Sequence, residues 1–208
     1  MSLFDMENRQ ESGAEAPAAV CWPQWAEAAR LDDALAAAAY EATPAHLRAA
    51  VKTGLALAHM HFGESTTSQR SEERNSHLGF WRRSIAHPAP WAVIAFTPAY
   101  AAAARLAAAC MPAQLCGVPL VGAVCVGGTP SSNALVTLEL AGVEDIFVMD
   151  NAGLCTLLEE TQPGPGRLVL LHRGELDAVA GAARALTRPA VRYRTLTILS
   201  CGGEDDLG

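Results

Sequence analysis

Lysine is almost missing from this 208-residue chain: Lys52 is the only one, and every other basic side chain is Arg or His. That is a compositional bias with no chemical consequence. Basic charge as a whole is also short. The formal net charge is -7 and the sequence pI is near 5.3. An acidic surface repels nucleic acid and anionic membranes, so neither is expected as a partner. No apolar run reaches the ~18–20 residues of a bilayer span without turn residues interrupting it. The first residues, MSLFDMENRQESGAEAP, lack an apolar signal core, and the expected location is the cytoplasm. Six cysteines are present, Cys21, Cys110, Cys116, Cys125, Cys155 and Cys201. None falls in a CxxC pair or a Cys/His spacing typical of zinc, so free, buried, reduced thiols are expected.

What the chain does have is alternation. Residues 1–17 are polar and aperiodic and read as a disordered tail. Pro23–Tyr40 reads as one helix, with Trp25, Leu31, Leu35 and Tyr40 as candidate core contacts. Thr43-Pro44 reads as the N-cap and first position of a second helix, with Leu47, Val51, Leu55 and Ala58 at helical spacing and Gly63 as its stop. Glu64–Ser76 is polar and reads as a solvated loop or a helix extension. His87-Pro88-Ala89-Pro90 is an extended entry into the next element.

From Trp91 the pattern predicts strands at Trp91–Phe96, Leu120–Val126, Glu144–Met149, Arg167–His172 and Val191–Leu199. Helices are predicted from Thr97-Pro98 to about Leu115, from the Gly127–Pro130 turn to about Ala141, at Asn151–Glu160 and at Leu176–Thr187. Gln162–Gly166 reads as a turn. The implied fold class is α/β: a Rossmann-like parallel sheet of about five strands, helices on both faces, preceded by N-terminal helices. The expected division is a tail at 1–17, a helical segment at 18–86, the α/β domain at 87–200 and a tail at 201–208.

Four segments resemble the histidinol dehydrogenases and, more distantly, the aldehyde dehydrogenases. They are Pro44–Ala50 with His61 a few turns on, the strand entry WAVIAFTPAY, Met111–Gly117, and Leu138–Phe147 (LELAGVEDIF). Together they span about residues 44–160 in order. The resemblance implies the fold, and NAD or another nucleotide as the ligand class, with no cofactor fixed. The expected rim of such a cleft is Phe96, Thr97, Gly127, Gly128, Asp150 and Asn151, at the ends of the first three strands.

The departures from that family are specific. Its Gly-Gly turn after the first strand falls on Thr97-Pro98. A family Tyr that touches NAD falls on Ile94. Its Gly-Gly-Ala-Gln after the third strand is here Asp150-Asn151-Ala152-Gly153. Its later Gly-Pro-Gly-Asn falls near Leu170–Arg173 without a match. Asp150 sets a carboxylate where a pyrophosphate would approach. The family's zinc ligands, its Glu-His acid–base pair and its second half are absent from this sequence. No catalytic residue and no metal site is assigned.

Other constellations read blandly. Asn151–Thr156 resembles the Cys-nucleophile segment of aldehyde dehydrogenases, but Cys155 follows the third strand directly and reads as an apolar helix-face cysteine. His59 and His61 stand two apart, on different helix faces, with His46 one helix earlier. Gly127-Gly128-Thr129 lacks the G-x-G-x-x-G spacing, and no P-loop Lys follows. Ser131-Ser132 has no nucleophile elbow around it. Glu72-Glu73-Arg74 and Arg82-Arg83 read as a solvated face, or beside Trp81 as a grip for an anionic partner. The functional expectation is a catalytically truncated dehydrogenase-like domain acting as a nucleotide- or small-molecule-binding module, and a homodimer. The alternatives are a subunit of a split NAD-dependent dehydrogenase and a structural assembly protein.

Overall fold

The computed structural model describes residues 20–63, 69–100, 102–161, 166–186 and 198–201. The reading of a disordered tail at 1–17, most of the last predicted strand and the tail from 202 lie outside these residues.

Two of the strands are apolar over their whole length. Trp91–Phe96 (WAVIAF) is buried at every position, and Leu120–Val126 is buried from Gly122 onward. A strand covered on both faces needs such a run. In chain order the molecule has a 3-10 turn at Gln24–Ala29, then α1 (Asp33–Ala42), α2 (Ala45–Phe62), β1 (Gln69–Asn75), β2 (Phe80–Ala86) and β3 (Trp91–Phe96). Next come α3 (Ala103–Leu115), β4 (Leu120–Val126), α4 (Ser132–Leu140), β5 (Asp145–Met149), α5 (Asn151–Glu160), β6 (Arg167–Leu171), α6 (Asp177–Leu186) and β7 (Ile198–Cys201).

The main sheet is parallel, in the order β5-β4-β3-β6-β7. This is the order of a doubly wound Rossmann-like sheet, in which the chain fills one side, returns, and fills the other. Side chains alternate between two cores. Val93, Ala95, Val124, Phe147, Leu168 and Leu170 meet Leu154, Leu157, Val179 and Ala183 of α5 and α6. Ile94, Phe96, Ala123, Cys125 and Ile146 meet Leu106, Cys110, Leu135 and Leu138 of α3 and α4. Each such large apolar side chain contributes roughly 1.5–3 kcal/mol by leaving water. The N-terminal helices form an outer layer on this second face, α2 against α3 and α1 against α4. No described helix is long and apolar enough to cross a membrane.

The helix ends of α3 and α4 share one device. Gly117 and Gly142 sit at φ 67° and 73°. Val118 N–H donates to Ala113 O at 3.0 Å, and Val143 N–H to Leu138 O at 3.0 Å. This is the left-handed glycine closure that satisfies a helix's last carbonyls, with the following Val turned inward. Gln114 ties the two ends together by donating Nε2–H to Gly142 O at 3.0 Å. Both Cys116-Gly117-Val118 and Ala141-Gly142-Val143 therefore owe their wording to helix termination.

Four expectations need correction. Pro23–Tyr40 is not one helix. Arg30 is extended (φ -68°, ψ 136°), and Leu31 N–H donates to Ile146 O at 2.7 Å, covering the edge of β5. Asp32 then caps α1 by accepting from Ala34 N–H at 2.9 Å. Trp25 and Leu35 are exposed, so they are not core contacts. Thr43 does not cap α2: its hydroxyl donates back to Ala39 O at 2.7 Å and ends α1, and Arg48 spans the corner by donating to Tyr40 O and Thr43 O. The polar segment after Gly63 is neither loop nor helix where it is described. Its residues from Gln69 form the antiparallel hairpin β1–β2, a sheet of its own. Finally, Thr97-Pro98 makes a turn, with Tyr100 N–H on Thr97 O at 2.9 Å, and α3 begins only at Ala103.

Before the outer helices, Trp22 lies over the sheet. Its indole N–H donates to Asp145 Oδ2 at 2.7 Å, and its ring meets Phe147 edge-on at 5.5 Å. It fills the space above Gly122, where an added Cβ would stand 2.6 Å from the ring. The Gly122→Ala variant is predicted to lose about 1–3 kcal/mol by displacing that ring. In a Trp22→Ala background the same change should cost close to nothing. Urea unfolding of the four proteins in the cycle measures this coupling, and additive losses would show that the ring does not depend on Gly122.

Candidate functional site

In an open parallel sheet, the loops at the carboxyl ends of the strands splay apart where the strand order reverses. Here the reversal lies between β3 and β6, which pair in register from Ala92 with Arg167 to Phe96 with Leu171. The loops that flank this point are Thr97-Pro98 after β3 and His172-Arg173-Gly174-Glu175 after β6.

The loop after β6 is built around a buried histidine. His172 is 3% exposed. Its Nδ1 accepts from Gly174 N–H at 2.9 Å and from Leu176 N–H at 3.3 Å. A ring nitrogen that accepts carries no proton, so the proton sits on Nε2. The imidazole thus takes the place of a backbone turn and starts α6. Glu175 closes the loop by accepting from Arg173 N–H at 2.6 Å. That bond, with a second from its own backbone N–H, holds the exposed Glu175 carboxyl below the usual carboxylate range. Arg173 stands exposed at the strand end. Sequence reasoning missed this segment. Its readable signal is Leu-His-Arg-Gly-Glu directly after an apolar strand, but its importance depends on a strand order that the sequence does not display.

The six rim residues expected from the sequence do lie along the same carboxyl edge. Phe96 and Thr97 end β3, Gly127 and Gly128 follow β4, and Asp150 and Asn151 follow β5. Gly127 N–H donates to Met149 O at 2.9 Å, drawing the ends of β4 and β5 together. Their individual roles are structural. Phe96 has no exposure and belongs to the core. Thr97 is buried and its carbonyl makes the turn to Tyr100. Gly128 is approached by Pro98, whose Cγ would stand 3.0 Å from an added Cβ. Asp150 is the N-cap of α5, its Oδ1 accepting from Gly153 N–H at 2.7 Å. Asn151 is exposed in the first turn of that helix. Ile94 is fully buried in mid-strand and reaches no ligand.

The turns after β4 and β5 are poorly suited to a dinucleotide pyrophosphate, whereas the N-terminus of α3, after β3, carries no side-chain cap. Anion binding at a βα turn needs free N–H groups at a helix N-terminus. The α5 terminus is already capped by a carboxylate, and α4 is capped by Ser131 Oγ accepting from Ala134 N–H at 3.3 Å. The Gly127 N–H is committed to Met149 O. Among the described residues no group of three or more His, Cys, Asp and Glu comes together to hold a metal ion. His46, His59 and His61 are exposed on α2.

Cys110 and Cys125 are placed for packing, whereas Cys21 is exposed, against the expectation that the thiols are buried. Cys110 and Cys125 have no exposure, and burial pushes both thiols up to about 12. Cys155 lies half-buried on α5; burial, then the Glu159 charge, raise its thiol. A raised thiol is a poor nucleophile at neutral pH. A scan against protein-family models finds no match to this chain, and a search of curated proteins finds none either.

Thiol labelling checks these placements. With a maleimide at pH 8 and mass-spectrometric mapping, the exposed Cys21 should label fast, and Cys110 and Cys125 only after unfolding. Early labelling at either would contradict their burial. Removing the α5 cap with Asp150→Ala should cost about 1 kcal/mol in urea unfolding, whereas an unchanged midpoint would mean the cap contributes nothing.

Proposed function

We propose that this chain is a non-catalytic binding module of Rossmann-like form that takes a small polar molecule at the crevice between β3 and β6. The observation that carries this reading is the strand order β5-β4-β3-β6-β7. It sets the reversal of the sheet between the loops that follow β3 and β6, which carry Thr97 and His172–Glu175. Ligands of open α/β sheets bind at that point because two loops leave it in opposite directions.

The chemistry of the rim sets the ligand class. Arg173 offers one exposed cation, while Glu175 and Asp177 offer carboxylates. A molecule carrying both an anionic and a cationic or hydroxyl group suits this mixture. A pyrophosphate, with its concentrated negative charge, does not. The histidinol and aldehyde dehydrogenase resemblance supports descent of the fold. The capped helix ends and the raised Cys155 thiol argue against retention of that chemistry.

The isolated protein should form no NADH from histidinol or simple aldehydes, with or without zinc, and should show no sub-micromolar NAD binding by calorimetry. Melting should be screened against a panel of nucleoside monophosphates, amino acids and hydroxy acids at millimolar concentration. At least one class should raise the midpoint by about 2–4 °C, the shift that ~1 kcal/mol of binding energy gives at this chain length. Arg173→Ala should remove that shift. Reproducible NADH formation, or a panel with no response, would refute the module as described.

A further inference from the structure

The β1–β2 hairpin stands apart from the rest of the molecule. It forms its own two-stranded sheet, and of the side chains described from Arg70 to Ser84 all but Asn75 are exposed. A two-stranded hairpin is marginal in water without cover. This one also carries Leu78, Phe80 and Trp81 into solvent, at 74%, 40% and 61% exposure. Its charge runs against that of the chain: Arg70, Arg74, Arg82 and Arg83 face only Glu72 and Glu73. Glu72 is already held between Arg70 and Arg83. Arg74 lies directly across the hairpin from Trp81, so one face presents a cation beside an indole.

A complementary surface exists elsewhere on the same chain. Between α1 and α4, next to the β5 edge, lies a groove of about 330 Å³. Its apolar floor includes Leu31, Val143 and Ile146, and its walls carry Asp33, Glu139 and Glu144. The one arginine that lines it, Arg30, is engaged by Asp145 at 3.5 Å and by Glu27 at 3.4 Å. The groove is acidic and apolar; the hairpin is basic and aromatic.

We propose that the hairpin of one copy docks in the α1–α4 groove of a second copy, with reciprocal exchange across a two-fold axis. The occupant is a second copy of this chain because the two surfaces match in charge and both lie on one sequence. Reciprocal exchange closes the assembly, so no patch is left to recruit further copies. Trp and Arg are the side chains that most often anchor such contacts. Trp81 supplies the buried area, and Arg74 and Arg83, on the same face of the hairpin, meet the carboxylates. This association is independent of the crevice between β3 and β6.

Charge exchange tests it. One variant of the full chain carries Arg74→Glu and Arg83→Glu; the other carries Glu139→Arg and Glu144→Arg. All four positions are exposed, and circular-dichroism melting confirms that each variant folds. Light scattering at tens of micromolar should find the wild type dimeric, and less so in 0.5 M salt, which screens exposed charges. Each variant alone should be monomeric. An equimolar mixture should regain the dimer, because each arm then meets a groove of opposite sign. A monomeric wild type, a variant that stays dimeric, or a mixture that stays monomeric overturns the proposal. So does wild-type binding of a single-stranded oligonucleotide that is lost with Arg74→Glu and Arg83→Glu, which would give the hairpin to nucleic acid.

Discussion

The backbone of Trp91–Phe96 is hydrogen-bonded along both edges and covered on both faces, and the remaining structure is arranged to allow this. A buried N–H or C=O without a partner costs as much as a lost hydrogen bond. Six consecutive buried residues therefore demand a strand on each side, β4 on one and β6 on the other. β4 follows β3 in the chain and pairs at once. β6 reaches the other side only after the chain has laid down β5 and α5 and crossed back. The helices before and after that return lie on opposite faces of the sheet, α3 and α4 on one and α5 and α6 on the other. The crevice at the carboxyl ends of β3 and β6 is thus a consequence of satisfying β3.

The outer parts solve what the sheet leaves open. The β5 edge would expose unpaired backbone. Arg30 and Leu31 cover part of it, and the side chain of Trp22 is anchored beside it on Asp145. That explains why the N-terminal segment breaks at Arg30 rather than running on as one helix. On the opposite side of the same break, α1 leaves a groove against α4 that no described residue fills. The hairpin, exposed at every described side chain but Asn75, is the piece with the matching chemistry. Edge cover and unfilled groove both come from the single extended step at Arg30–Asp32.

The α/β core is legible in the sequence because its signals are local. Apolar runs bounded by turn residues mark β3 and β4 to the residue, and the polar Asp150-Asn151 step marks the start of α5. Gly117 and Gly142 announce the ends of α3 and α4. The hairpin is not legible, since Arg70–Asn75 alternates charge and polarity without an apolar face, and a strand with no buried side carries no period-two hydrophobic pattern. The site is half legible. Reading consecutive strands as neighbours puts the rim at the ends of β3, β4 and β5. Strand order depends on which crossover the chain takes, and that is a long-range packing outcome. The loop at His172 therefore shows in the sequence only as Leu-His-Arg-Gly-Glu after an apolar strand, with nothing to mark it as flanking the switch point.

The central claim is that ligand chemistry belongs to the β3–β6 crevice and not to the turns after β4 and β5. Amide chemical-shift mapping on isotope-labelled protein, titrated with the compound that most raises its melting midpoint, tests this directly. The account predicts shifts concentrated at Thr97, at Arg173–Glu175 and at the first turn of α6, with Gly127, Gly128 and Asn151 nearly still. Shifts centred on Gly127–Thr129 and Asn151–Gly153, with His172–Glu175 unmoved, would contradict it.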